Sequence, residues 1–415
     1  MLVLGLAATA QAQTPPTQLD RVEVISTTPL PGLELRREQV PAPVQTTTGA
    51  ALERSGALGL ADFANRKLGS VHINEIQNNP FQPDVNFRGF TASPLLGTPQ
   101  GLSVYLDGVR LNQPFGDVVS WDLIPKSAIS TISLIPGSNP LFGLNTLGGA
   151  LSVQTKDGLR NPGAAVQVAV GTEGRRSGEF EFGGASTNGL DWFLTGQAFK
   201  EDGWRVDSPS EVGQLFGKLG WHSSTTRVTL TGSAADSDLY GNGLQEKRLL
   251  ERDYQSVYTK PDQTENRAGL LNLAVSHDLS NTLSITGNAY YRRIRTRTLN
   301  GDINEGALDQ SVYTLSAGER AALTAAGIPF PGTPITAANT PFPSLRCIAN
   351  GLLRDEPGEK CNGLLNRSAT SQRNQGLSGQ LNWKGQTGGV KHQAVVGGAY
   401  DRSRVSFSQS TQLGY

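Results

Sequence analysis

The sequence has no continuous apolar run of about eighteen residues, so it contains no candidate transmembrane helix. It has no charge excess either. Its 36 Lys and Arg balance 36 Asp and Glu, without the basic surplus that a nucleic-acid partner would draw on. Histidine is sparse: His72, His222, His277 and His392 are scattered, show no metal-ligand spacing, and read as ordinary polar positions. Catalytic groupings are missing as well. Local sequence suggests no Ser-His-Asp or Cys-His arrangement, and GLNTLGG at 143–149 lacks phosphate-loop spacing and a following Lys-Ser/Thr. Asp107 precedes Gly108 in what reads as a turn. Neither an enzyme nor a cofactor site is expected.

What the sequence does have is 49 glycines and sustained alternation. A transmembrane β-barrel escapes hydropathy because each strand alternates between lipid and lumen. From residue 163 onward, alternating segments fall near 164–171, 176–186, 190–200, 212–222, 226–236, 266–278, 282–297, 373–384 and 390–409. The connections at 187–189, 223–225, 279–281 and 385–389 are short, while 237–265 and 298–372 are long. Short turns on one side and long loops on the other are the outer-membrane barrel pattern. Val228, Leu230, Gly232 and Ala234 share one face against Thr229, Thr231 and Ser233. Leu271, Leu273 and Val275 oppose Asn272, Ala274 and Ser276, and Leu377, Leu381 and Trp383 oppose Ser378, Gln380 and Asn382.

In one strand the apolar face runs from Leu283 to Tyr291, about one tilted hydrocarbon span, and continues into Arg293, Arg295 and Arg297. In another it ends at Tyr400 and continues into Arg402 and Arg404. These seven side chains fit contact with lipid headgroups, the arginines pairing lipopolysaccharide phosphates beside an aromatic girdle. The alternative is solubilising charge at the ends of a sheet.

The N-terminus points to export. Residues 2–10 are apolar, and Ala10-Gln11-Ala12 fits a signal-peptide cleavage site, although the basic n-region is missing. An oxidising compartment would let Cys347 and Cys361, in one long loop, form a disulfide. Residues 29–44 are proline-spaced and read as irregular, and SGALGLADFANRKL at 55–68 reads as a short helix.

Between these regions stands the most specific stretch: VNFRGF at 85–90, GLSVYLDGVRLNQPF at 101–115 and DLIPKSAISTISLIPGSNPLFGLNTLGGALSVQTK at 122–156. Short alternating strands separated by Asp107-Gly108, Pro136-Gly137 and Gly148-Gly149 predict a small mixed sheet. The stretch closely resembles the plug domain of TonB-dependent outer-membrane receptors, in which these motifs recur in this order.

The resemblance implies a four-stranded α+β plug followed by antiparallel transmembrane β-barrel strands. It divides the sequence into a signal peptide at 1–12, a flexible periplasmic tail at 13–28, a plug at 29–160 and partial barrel at 163–415. The tail segment Leu19, Asp20, Arg21, Val22, Glu23, Val24, Ile25, Ser26 looks like the TonB box, which the inner-membrane transducer TonB would capture by strand addition. Barrels that hold a plug have about 22 strands, so nine imply an N-terminal portion. Arg88 is expected to latch the plug to inward-facing Glu179 and Glu181, although the family's second latch arginine is replaced around Pro136. Outward plug loops place Gln77, Asn78, Asn79, Phe81, Gln82, Asn112, Phe115 and Trp121 as candidate ligand contacts, with Trp204, Arg205 and Tyr240 in predicted extracellular loops as second candidates. The implied activity is energised import across the Gram-negative outer membrane. A ferric siderophore leads as ligand, with a vitamin, another metal complex or a carbohydrate as alternatives. A passive barrel or surface-binding protein is the other reading.

Overall fold

The computed structural model describes residues 24–26, 28–32, 34–75, 77–304, 314–330 and 344–414. The signal-peptide region and box residues Leu19 to Glu23 lie outside them.

The chain begins with a clasp. β1 (Val24–Ser26) pairs antiparallel with β2 (Glu34–Arg36), setting Ile25 opposite Leu35. β3 (Gln45–Thr48) leads into α1 (Gly49–Arg54), whose first turn is capped by the Thr48 hydroxyl accepting from the Ala51 N–H. The helix expected over 55–68 begins only at α2 (Leu60–Lys67). Gly56, at φ 65, breaks the path, and α1 lies before that break rather than after it. Leu60, Ala61, Phe63 and Ala64 form the buried face of α2.

β4 (Val71–Asn74), β5 (Asp84–Phe87) and β6 (Phe90–Ala92) make a three-stranded antiparallel sheet. β7 (Leu102–Leu106), β8 (Val109–Arg110), β9 (Ile129–Pro136) and β10 (Gly149–Thr155) join β3 in a five-stranded sheet ordered β3-β9-β10-β7-β8. Asp107 and Gly108, at φ 45 and 82, form the tight β7–β8 turn. Among the described residues the plug thus has eight strands in two sheets beyond the β1–β2 clasp, not the four expected. Its short strands, such as Val109–Arg110, carry too little alternation to be read from sequence. Its core is its own: Leu52, Phe63, Phe87, Val104, Ile129, Ile132 and Val153 are fully buried together, and Leu270 alone among buried wall residues joins them.

The second unit is an open antiparallel sheet of nine strands paired strictly in chain order. It comprises β11 (Gly163–Val170), β12 (Arg176–Ala185), β13 (Leu190–Glu201), β14 (Ser210–His222), β15 (Thr226–Tyr240), β16 (Asp262–Asp278), β17 (Leu283–Ile303), β18 (Gly363–Thr387) and β19 (Val390–Gly414). The long connections carry α3 (Lys247–Leu250), then α4 (Ala317–Ala325) and α5 (Ser344–Leu353). All nine predicted strands are present. β17 and β18 run well past their expected ends, because the polar stretch at 363–372 pairs with residues 294–303 without apolar alternation to announce it.

The wall inverts the pattern of a water-soluble protein. Leu230, Leu271, Leu273, Leu377 and Trp383 are exposed, whereas Thr231, Asn272, Thr286, Gln372 and Asn382 are buried. Such burial of polar groups is favourable only when they are hydrogen-bonded, and here the plug supplies many of the partners. Exposed Trp192, Trp221 and Trp383 lie toward the short-turn ends, and exposed Tyr291 and Tyr400 lie farther along the outer face. From Leu283, opposite Trp383, to Tyr291 is about 26 Å of strand, or about 20 Å of depth at a tilt of about 40°, most of an apolar band of about 25 Å.

Candidate functional site

The inner face of the wall meets the plug through two kinds of contact. On β12 to β15 the contacts include ion pairs. Lys126 Nζ lies 2.6 Å from Glu179, and Lys156 Nζ lies 2.6 Å from Glu181 and 2.5 Å from the plug's own Glu53. Lys218 of β14 reaches Asp107 at 2.9 Å, and Arg227 of β15 sits 3.5 Å from Asp157 and 3.7 Å from Asp191. Lys156 and Lys218 are nearly buried, so these charges depend on their partners.

The expected latch therefore has its glutamates but a different cation. Arg88 is exposed at the β5–β6 turn, at φ 51, with its guanidinium 5.1 Å from the Phe87 ring. The hairpin turn carries that side chain away from the wall, and Lys126 and Lys156 take its place. Both lysines stood inside the quoted fingerprint, in DLIPK and QTK. No local signal marked them as bridging cations.

On β16 to β18 the contacts run mainly to backbone and neutral groups. Arg292 donates to the carbonyls of Leu111 and Asn112 at 2.7 and 3.0 Å. Gln372 donates to Gln113 at 2.6 Å and accepts from the Phe115 N–H at 3.1 Å. Thr286 and Gln380 both donate to the Pro31 carbonyl, at 2.9 and 3.3 Å. Asp122 is buried between these regions and accepts from Ser237 at 2.6 Å and Asn266 at 3.0 Å. Burial pushes its carboxyl above the usual range despite those two donors.

Most plug-loop candidates for ligand contact are occupied in structure. Asn79 donates to Ser210 and to the Tyr240 carbonyl, both at 2.9 Å, and Phe81 packs edge-on against Phe199 at 4.9 Å. Asn112 ties Leu102, Val104 and Asp117 together, Gln82 is buried, and Trp121 lies in the plug core. These are corrections: the five side chains are spent on plug packing or plug–wall contacts, which distant pairing creates and local sequence does not display. Gln77, Asn78 and Phe115 are half-buried, Phe115 lying 4.9 Å from Phe407 of β19.

Trp204, in the connection between β13 and β14, lies beside Tyr254 of the β15–β16 connection with ring centroids 4.8 Å apart. Arg205 is buried and donates to the carbonyls of Gly243 and Ser256, and burial lowers its pKa. It braces these loops rather than presenting charge, a second correction. Tyr240 is half-buried. Exposed Tyr254 and Tyr258, unmarked by any sequence pattern, share this loop cluster. Cys347 and Cys361 form a disulfide that ties α5 to the start of β18. Leu315, Leu323 and Ala349 give that loop a small core.

The described part of the box, Val24–Ser26, is extended as expected but already paired, with Ile25 buried against Val44, Tyr105, Ile135 and Phe142. Tyr105 donates to the Phe142 carbonyl, and burial pushes its phenol up to about 12. Among the described residues no His, Cys, Asp and Glu cluster could hold a metal ion, and no helix is long and apolar enough to cross a membrane.

A family model described as the TonB-dependent receptor plug domain matches residues 36–150. No curated protein matches the sequence. Among solved structures, the pyoverdine outer membrane receptor FpvA from Pseudomonas aeruginosa, bound to pyoverdine, is 13% identical with a TM-score of 0.64 over 92% of this chain and 50% of its own. The unliganded ferric citrate transporter FecA is 12% identical with a TM-score of 0.65, over 90% and 49%. BauA, the ferric preacinetobactin receptor from Acinetobacter baumannii, is 14% identical with a TM-score of 0.63, over 91% and 49%. The chain spans about half the length of each.

Proposed function

Since the chain carries a TonB-dependent receptor plug domain beside nine strands of that receptor fold, we propose that it is an outer-membrane receptor for energised import. On this reading residues 1–12 are a signal peptide, 13–28 the periplasmic tail, 29–160 the plug and 163–415 wall strands crossing the outer membrane. The tail and plug face the periplasm, and TonB captures the segment from Leu19 to Ser26. The observation that carries the reading is the plug's separate core: buried apolar packing is internal to the plug, with only small patches such as Phe81–Phe199 bridging to the wall. A body held in a membrane ring by polar contacts can be displaced without unfolding the ring. The exposed apolar outer face favours this over a soluble β-protein.

A ferric siderophore leads as ligand class, since the solved structures of similar fold include receptors named for ferric chelates. On this reading the candidate contacts are Gln77, Asn78, Phe115, Trp204 and Tyr240, with Tyr254 and Tyr258. No catalysis is proposed. The test is uptake of radiolabelled iron from ferric catecholate and hydroxamate chelates by cells expressing the receptor with residues 19–26 deleted. Surface binding is expected to persist while accumulation stops. Unchanged accumulation would refute energised import and favour a passive barrel.

A further inference from the structure

Arg292 sits on the inner face of β17, between outward Tyr291 and Arg293, and is only 3% exposed. Its two terminal nitrogens donate to the carbonyls of Leu111 and Asn112, but its buried Nε–H has no acceptor. Buried donors are nearly always paired, so this orphan needs an explanation. No carboxylate among the described residues forms an ion pair with Arg292. Asp401, one rung toward the short turns, accepts from Tyr290. Asp122, two rungs the other way, accepts from Ser237 and Asn266.

Arg292 lines a cavity of about 40 Å³ between the plug and β15–β17. Its other polar lining is Gln113, Ser120 and Ser233, and the remainder is backbone and apolar side chains such as Leu106 and Leu270. Ser233, Leu270 and Arg292 stand on one cross-strand rung. Gln113 is already spent, donating to Ser120 at 2.8 Å and accepting from Gln372. The Ser120 hydroxyl still has its own hydrogen to give, and that of Ser233 has no acceptor among the described residues either. Three donors and one positive charge therefore border a space that no carboxylate lines. A cavity with polar walls and this volume is occupied rather than dry. Water alone would leave the arginine's charge without a counter-ion.

We propose that this cavity is a binding site for one monatomic anion, chloride, held by the Nε–H of Arg292 and the hydroxyls of Ser120 and Ser233. Both terminal nitrogens of Arg292 are committed to carbonyls, so no guanidinium fork is left for the bidentate grip that a carboxylate or phosphate takes. Single donors from β15, β17 and the plug suit a spherical ion instead. The anion supplies a countercharge where the plug meets β15–β17, so it seats the plug more firmly when bound.

The test is amide exchange of the full chain in detergent micelles, with chloride compared against gluconate at equal ionic strength, read on peptides within 109–124. An anion bound only to the seated plug should slow exchange about tenfold when chloride stands at about ten times its dissociation constant. Crystals grown in bromide should show one anomalous peak beside Arg292, Ser120 and Ser233. Ser120→Ala with Ser233→Ala should raise the chloride midpoint about tenfold or more, as hydrogen bonds to a charged group imply. Arg292→Gln should abolish the chloride effect, with heat-modifiable gel mobility as the check on folding. If that variant fails the check, the serine pair decides, and an unshifted midpoint overturns the site. Equal exchange in chloride and gluconate overturns it as well, leaving the cavity to water. A bromide peak with no chloride effect on exchange marks an adventitious ion only, and a chloride effect that survives in folded Arg292→Gln overturns the assignment to this arginine.

Discussion

Replacing Lys156 by methionine keeps the side chain's length and removes its charge. In the folded protein that Nζ stands between Glu181 of the wall and Glu53 of the plug, at 2.6 and 2.5 Å. Removing one partner of a buried pair costs about 3–5 kcal/mol, because the other charge is left without compensation. Here the lysine is 6% exposed, but Glu181 is 25% and Glu53 37% exposed, so water screens the stranded carboxylates. A discounted cost of about 2–3 kcal/mol follows. If amide exchange in β9 and β10 proceeds by release of the plug, exchange there should speed by roughly 30- to 150-fold. Hydrogen-exchange mass spectrometry of peptides spanning 129–136 and 149–155 reads this directly. Adding Glu181→Gln should recover part of the loss, since it removes one uncompensated charge. Arg88→Ala should change nothing. Unaltered exchange in Lys156→Met, or equal acceleration in Arg88→Ala, would refute the lysine latch.

Two further outcomes are expected. Asp122 has a raised folded-state pKa, so its contribution is fully present below the unfolded value and is lost as pH rises through the folded value. Wild-type plug stability should therefore fall with rising pH above the ordinary carboxylate range, and Asp122→Asn should flatten that slope; melting curves across pH would check it. Cys347→Ser with Cys361→Ser opens a loop closed across 14 residues, worth about 3 kcal/mol in chain entropy. Limited trypsin treatment should then cut faster at Arg354 or Lys360, with the wall strands still protected.

The wall was legible because its period of two places Leu271, Leu273 and Val275 on the face opposite Asn272, and that pattern needs no tertiary information. Strand ends were not, since 363–372 carries no regular apolar alternation and is fixed by pairing with β17 on one side and β19 on the other. The fingerprint placed the plug, but not the roles within it. Glu179 and Glu181 could be assigned inward by parity, while their cations depended on where a turn at Arg88 points and where Lys126 and Lys156 emerge. Asn79 and Phe81 read as loop-tip side chains and proved to be bound to Ser210 and Phe199, over a hundred residues away. Such contacts have no local trace.

The uneven seating of the plug has a mechanical consequence. Ion pairs fix it to β12, β14 and β15, whereas at Pro31 it touches β17 and β18 through two neutral donors. Neutral hydrogen bonds contribute about half as much as charge-assisted ones. A load drawn along residues 24–32 would meet the Thr286 and Gln380 bonds first and one after another, as in peeling, rather than all contacts at once, as in shear. The β12–β15 side would act as the hinge. A gap would open first at the Pro31 contacts and would run along β17 and β18 only as far as the charge-assisted bonds of Arg292 to Leu111 and Asn112, which would have to break before that side came free.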